Sequence, residues 1–213
     1  GADDDIVYGY ELSSPYDIST CSYSDNKTTD LDGKLNGSLA GDDIAPAAKV
    51  RLQGLDFNNN GTKMFLLFLG DDVDANGDAR KERLLEFNLS TPYDIATMSL
   101  VTSGGIHLSE GAEGFNPDAI FIGLNGKRLF VTDHDKYTVT QFTLHNPYDT
   151  SSFTEDGSVS IQDLTSDNNR QTRALGFSKS GLKMFVSDDE GDDDIFEFNL
   201  ACPFNIIAGK CPS

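Results

Sequence analysis

A motif written four times along the chain constrains its fold more than any other feature. Its copies are Val7 to Leu12 with Ser13-Ser14-Pro15-Tyr16-Asp17, Leu84 to Leu89 with Ser90-Thr91-Pro92-Tyr93-Asp94, Val139 to Leu144 with His145-Asn146-Pro147-Tyr148-Asp149, and Ile195 to Leu200 with Ala201-Cys202-Pro203-Phe204-Asn205. A second motif occurs three times, as Leu55-Asp56-Phe57 before Asn58-Asn59-Asn60-Gly61-Thr62-Lys63-Met64-Phe65, as Ile120 to Ile122 before Gly123-Leu124-Asn125-Gly126-Lys127-Arg128-Leu129-Phe130, and as Leu175-Gly176-Phe177 before Ser178-Lys179-Ser180-Gly181-Leu182-Lys183-Met184-Phe185. A glycine four residues beyond an apolar strand, flanked by Asn or Ser and followed by an aromatic strand, supplies the positive φ of a tight β-turn, so these segments read as hairpins. The prolines are spaced 77, 55 and 56 residues apart and the turn glycines 65 and 55, a period near 55 with one long insertion.

Each period divides into four short strands. Strand a ends at Phe57, Ile122 or Phe177, and strand b starts at Met64, Leu129 or Met184. Strand c ends at Leu12, Leu89, Leu144 or Leu200, and strand d follows the proline, as Ile18 to Tyr23, Ile95 to Val101 and Ser151 to Thr154. Strand c alternates, with Tyr8, Tyr10 and Leu12, or Phe196, Phe198 and Leu200, on one face that is expected to be buried. No stretch carries a convincing helical period with caps. The expected fold is therefore all-β, a β-propeller-like array of four-stranded antiparallel blades with about three and a half blades in the chain. The organisation is one repeat domain over 1–213: an N-terminal c strand in 1–14, repeats over 15–91 (with an insertion at 24–49), 92–146 and 147–202, and a C-terminal strand or tail at 203–213.

Composition bears on partners. The 213 residues carry 35 Asp and Glu against 16 Lys and Arg, a formal charge of −19, which repels nucleic acid and anionic membrane surfaces. Apolar residues make up 38%, enough for a core, but no run approaches the roughly 18 apolar residues of a membrane span. The sequence opens at Gly1 with no initiator Met or leader, as a mature chain or a piece of a longer one would. Cys202 and Cys211 bracket a short segment and are expected to pair, which leaves Cys21 as a small buried apolar side chain. Asn26, Asn36, Asn60 and Asn88 lie in N-glycosylation sequons. Few lysines, many aspartates and loops of Gly, Asn and Ser favour an extracellular, cell-surface or virion-surface setting.

The pairing of Phe-Asn-Asn-Asn-Gly-Thr-Lys-Met-Phe (57–65) with Glu-Phe-Asn-Leu-Ser-Thr-Pro-Tyr-Asp-Ile (86–95) resembles the β-propeller repeats of secreted or virion-associated proteins of aquatic bacteria and their phages, and is distantly similar to YVTN and lactonase-like propellers. The resemblance runs from Ile6 to about Asn205; it implies the blade fold and is nearly silent on activity, because propellers host binding, scaffolding and catalysis alike. A single-chain propeller typically closes with about four to eight blades. Three readings follow: blades joined between chains into an oligomer or filament, missing a and b strands supplied by Ser24 to Lys49, or a fragment of a longer propeller. The first is favoured, and the poverty of 24–49 in aromatic and β-branched residues argues against the second.

The connections between strands b and c are acidic: Asp3 to Asp5, Asp71 to Asp78, Asp133-His134-Asp135 and Asp188 to Asp194. Asp72, Asp74, Asn76 and Asp78, with Gly77, match the first half of a calcium loop, although Arg83 stands where the closing glutamate belongs. Ca²⁺ is therefore the one cofactor expected, and the run 188–194 reads as a solvated loop. His107, His134 and His145 lack zinc spacing, no nucleophile elbow is present, and no catalytic residue is expected. Lys49, Arg51, Arg80, Lys81 and Arg83 read as surface charges, and Tyr16, Tyr93 and Tyr148 as packing at the c–d corner rather than sugar platforms. The leading functional expectation is a non-enzymatic extracellular structural protein that self-associates through its blades. The alternatives are a lectin-like or receptor-binding module with glycan partners and, last, a Ca²⁺-dependent lactonase-like hydrolase.

Overall fold

The computed structural model describes residues 6–23, 28–31, 50–70, 82–101, 106–108, 116–165, 171–189, 194–209 and 211. They form a nearly all-β array of antiparallel blades. The first blade holds β5 (Val50–Phe57), β6 (Lys63–Gly70), β7 (Arg83–Leu89) and β8 (Met98–Leu100), with β9 (Ile106–His107) also on β7. The second runs β10 (Ile120–Gly123), β11 (Arg128–Asp133), β12 (Thr138–Leu144), β13 (Phe153–Ser160), and the third β14 (Thr172–Phe177), β15 (Lys183–Asp188), β16 (Ile195–Asn199). Ahead of them stands a half-blade, in which β1 (Ile6–Val7) pairs β4 (Thr29–Asp30) and β2 (Tyr10–Leu12) pairs β3 (Cys21–Tyr23).

The blades stack through their first strands, β10 adjoining β5 on one side and β14 on the other. A strand between two neighbours is apolar on both faces, and side chains of alternate sign go to alternate cores. Met64, Leu66 and Phe68 of β6 enter a core with Val7 and Leu31 of the half-blade, whereas Phe65 and Leu67 enter one with Ile120, Ile122 and Leu129 of the second blade. Phe130 and Val139 continue into a third core with Met184 and Val186. Along β15, Met184 and Val186 are buried while Phe185 is only half-buried, because no described blade covers that side.

A polar joint repeats between blades. The buried Glu86 of β7 pairs with Lys63 and accepts hydrogen bonds from the Thr150 backbone N–H and hydroxyl, each at 2.9 Å, at the next blade's corner. One blade on, Gln141 occupies the equivalent position and accepts from the Ile206 N–H at 2.9 Å. Asp56 adds a further tie, accepting from the Ile122 N–H at 2.8 Å; burial pushes its carboxyl up from the ordinary aspartate value, against the lowering by that bond and one from Phe57 N–H.

Several expectations change. The residues after each Pro-Tyr-Asp are not yet strand: Ile18–Thr20 and Ile95–Thr97 form 3-10 turns, because Asp17 and Asp94 accept from the N–H two residues on, and the outer strand begins afterwards. A five-residue helix, α1 (Ile161–Thr165), leads from β13 towards the third blade and buries Ile161. Arg83, expected at the surface, is 1% exposed at the start of β7. Cys21, expected to be buried, is a free exposed thiol, and Tyr8, Tyr10 and Leu12, expected on a buried face, are exposed as well. Cys202 and Cys211 form a disulfide with a Cα–Cα separation of 5.7 Å. Closing so short a loop contributes about 2 kcal/mol through the unfolded chain. Reduction is therefore expected to lower the melting midpoint by several degrees, an effect absent in the Cys202→Ser/Cys211→Ser variant. No helix among the described residues is long and apolar enough to cross a membrane.

Candidate functional site

A residue just ahead of strand β10, the start of β14 and the residues just after β11 and β15 meet at one end of the second and third blades. Repeat alignment places Asp118 two residues before Ile120 and Arg173 two before Leu175, at equivalent positions with opposite charge. The structure joins them: the Arg173 guanidinium lies 3.0 Å from Asp118 Oδ2 and, through Nε, 2.7 Å from Asp189 Oδ2. His134 completes the group with Nδ1 at 3.1 Å from the same Asp118 oxygen. Asp118 is nearly buried and His134 largely so, whereas Arg173 and Asp189 reach solvent.

The local chain holds this histidine firmly. Its backbone N–H donates to Asn116 O at 2.8 Å. The preceding Asp133 is fully buried and accepts through Oδ1 from the backbone N–H groups of Asn116, Asp135 and Lys136 at 3.3, 3.1 and 3.1 Å. Thr172 of the next blade donates to Asp133 O at 3.0 Å, and Gln171 accepts from Arg173 at 3.0 Å. Asp133 thus forms a turn that aims His134 at Asp118.

Electrostatics follow from the ion pair. The hydrogen bond from Arg173 holds the Asp189 carboxyl below the usual aspartate value, and Asp189 raises Arg173 in turn. A depressed carboxylate stabilises the fold above its unfolded pKa, and that contribution is lost as pH falls through the lower folded value. NMR titration should find Asp189 titrating below its ordinary 3.8, and Arg173→Ala should return it towards that value.

Chemically the group combines a carboxylate-oriented imidazole with an adjacent guanidinium. An Nδ1–H donated to Asp118 leaves the neutral ring's lone pair on Nε2, 3.9 Å from the exposed carboxylate of Asp135. Such a ring can take a proton from water, and such a cation can face a developing oxyanion. Among the described residues no group of three or more His, Cys, Asp or Glu is arranged to hold a metal ion.

Of the residues singled out in the sequence, Asp72, Asp74, Asn76 and Asp78 lie outside the described residues, as do Asn26 and Asn36. Asn60 is exposed in the β5–β6 turn, with Oδ1 accepting from Thr62 N–H and hydroxyl, and Asn88 is exposed on β7. His145 bonds Ser152 and Thr154, which ties the second blade's corner together. Tyr93 and Tyr148 pack at their corners, against Gly61 and Gly126. The His134 group itself went unrecognised in the sequence, where Asp133-His134-Asp135 reads as one more acidic turn. The available signal was the opposed charge at aligned positions 118 and 173.

No protein-family model matches the chain, and no curated protein does. Solved structures share its fold. A periplasmic gluconolactonase from Pseudomonas aeruginosa superposes with a TM-score of 0.52 at 12% identity over 70% of this chain and 37% of its own. A protein from Bacteroides uniformis, provisionally named a 6-phosphogluconolactonase, gives 0.51 at 15% identity over 93% of this chain and 51% of its own. The chain thus spans about half or less of these structures. The expectation that it is not an enzyme is corrected: the solved structures that share its blade architecture are named as lactonases, so the fold gives no ground for setting catalysis aside.

Proposed function

We propose that the chain is part of a lactonase-like propeller that hydrolyses a cyclic ester, with His134 as general base, Asp118 as the group that positions it, and Arg173 as the cation facing the carbonyl oxygen. The observation that carries this reading is the His134–Asp118–Arg173 arrangement at the junction of two blades. The names of the structures sharing the fold support it.

His134 Nε2 takes a proton from water as the oxygen attacks the ester carbonyl carbon. Negative charge gathers on the carbonyl oxygen beside Arg173. The ring C–O bond then breaks, and the departing alkoxide recovers the proton from the imidazolium, giving an open hydroxy acid. A chain of charge −19 favours a neutral sugar lactone over a phosphorylated one.

The test is hydrolysis of glucono-1,5-lactone followed by pH-stat. His134→Ala is expected to lower kcat/KM about 100-fold, the contribution typical of a positioned base. Asp118→Asn should flatten or shift the pH profile. Hydrolysis no faster than in buffer, or unchanged in His134→Ala, would overturn the reading.

Two further proposals accompany it. The Cys202–Cys211 disulfide supports an extracellular or otherwise oxidising setting. The spacing of Asp72, Asp74, Asn76 and Asp78 supports Ca²⁺ binding between β6 and β7, and no catalytic step is assigned to the ion. Millimolar Ca²⁺ should raise the melting midpoint over that in chelator, and Asp74→Ala should abolish the rise.

A further inference from the structure

The turn that holds His134 also presents a second acceptor beside its free ring nitrogen. Asp133 Oδ1 takes the backbone N–H of Asp135 at 3.1 Å, so the buried carboxylate that precedes the histidine also fixes the residue that follows it. From there Asp135 Oδ1 stands 3.9 Å from His134 Nε2. That separation is too long for a direct hydrogen bond and suits one bridging molecule. A water about 2.8 Å from both atoms would subtend roughly a right angle between them, close to the spread of its own two O–H bonds.

The other carboxylates around the ring are engaged elsewhere. Asp118 Oδ2 faces His134 Nδ1 and the Arg173 guanidinium. Asp189, near enough to His134 for the two to interact, holds Arg173 Nε at 2.7 Å. Asp133 is fully buried; its Oδ1 accepts three backbone N–H groups and its Oδ2 lies 3.7 Å from Lys136 Nζ. Asp135, with about half of its side chain exposed, presents its carboxylate to solvent on the Nε2 side of the ring.

We propose that Asp135 orients the attacking water, accepting one of its protons while His134 Nε2 accepts the other. The proposal rests on the hydrolytic reading and deepens it. With both protons directed at the turn, the oxygen lone pairs face outward, towards the ester carbonyl. As the new O–C bond forms, the first proton passes to Nε2 and the carbonyl π pair moves to the oxygen beside Arg173. The second proton, held by Asp135, stays on the attacking oxygen and becomes that of the new carboxyl group. The ring C–O bond then breaks, its electron pair leaves with the alkoxide, and the alkoxide takes the proton back from the imidazolium. Methanol has a single O–H and cannot serve both acceptors, so the pair favours water over an alcohol as nucleophile.

Hydrolysis of glucono-1,5-lactone in water and in water–methanol mixtures tests the proposal, with acid and methyl ester products separated by chromatography. Asp135→Ala is expected to lower kcat about tenfold with KM unchanged, since the residue acts on the nucleophile and not on the substrate. The same variant should raise the ratio of methyl ester to acid about fivefold, a partition that neither the amount of folded enzyme nor its stability can move. Asp135→Asn should keep kcat within about threefold of the parent, because its amide oxygen still accepts a proton from water. A loss confined to KM, or an Asn variant as slow as Ala, would overturn the proposal by assigning Asp135 to substrate binding or to charge alone. If His134→Ala loses activity while Asp135→Ala changes neither kcat nor the product ratio, this proposal fails and the hydrolytic reading stands. Hydrolysis that His134→Ala leaves unchanged, or no hydrolysis above that in buffer, overturns both.

Discussion

Gly126→Ala is expected to destabilise the protein by about 3 kcal/mol, from left-handed backbone strain and overpacking together. The position has φ of 87°, and the Tyr148 ring occupies the space into which a Cβ would project. The consequence does not stay in the turn. Displacing Tyr148 disturbs its carbonyl, which accepts from Lys63 at 2.7 Å, and then Thr150, whose N–H binds Glu86 of the first blade. A local change should therefore loosen the joint between two blades and lower the melting midpoint by about 10 °C. In the Gly126→Ala/Tyr148→Ala double variant the steric part of the cost is absent. Its loss should fall short of the sum of the two single losses, and a sum that adds would exclude the clash as the cause.

Glu86→Ala carries the second large effect, about 3 kcal/mol in chemical denaturation. The carboxylate is 1% exposed and serves Lys63 from one oxygen and the Thr150 N–H and hydroxyl from the other. Alanine leaves the buried N–H of Thr150 without an acceptor and Lys63 without its counter-ion. Glu86→Gln should cost only about 1 kcal/mol, because an amide can keep the bond to Thr150 and Lys63 retains the Tyr148 carbonyl. The chain itself provides the precedent: Gln141, in the equivalent place on β12, accepts from Ile206 while its amide donates to Asp156 and Asn205. Equal losses for Ala and Gln would show that the charge, rather than the acceptor, matters at the joint.

The repeat made most of the strands legible. Gly61, Gly126 and Gly181 announce turns by their place between an apolar and an aromatic segment, and the strands they join begin and end within a residue or so of expectation. The turns that follow each Pro-Tyr-Asp were not legible, because Ile18 and Ile95 look like strand residues. The Asp17 and Asp94 side chains override that preference by capping the backbone two residues on. The glycines also have a second role that periodicity does not display, as seats for the aromatic rings of the corner. The burial of Arg83 and the exposure of Cys21 and Tyr10 depend on which neighbours a strand receives, and a repeat pattern is the same whether a neighbour is present or not.

The candidate site shows the same division. His134 follows a strand whose end, Thr132-Asp133, is plain in the sequence, and Asp118 precedes and Arg173 opens strands that are equally plain. Alternation and turn chemistry determine these elements because they act over a few residues, through the two-residue period of a strand and the φ of glycine. The meeting of residues 118, 134, 173 and 189 depends instead on how one blade is set against the next. That setting comes from burial of Phe130, Met184 and Val186 and from joints such as Gln141 to Ile206, contacts across 54 to 65 positions of sequence. Local sequence determined the blade; only packing between blades decided which charges came within hydrogen-bonding distance and which corner aromatics were covered, Tyr93 and Tyr148 lying on their glycines while Tyr16 is exposed.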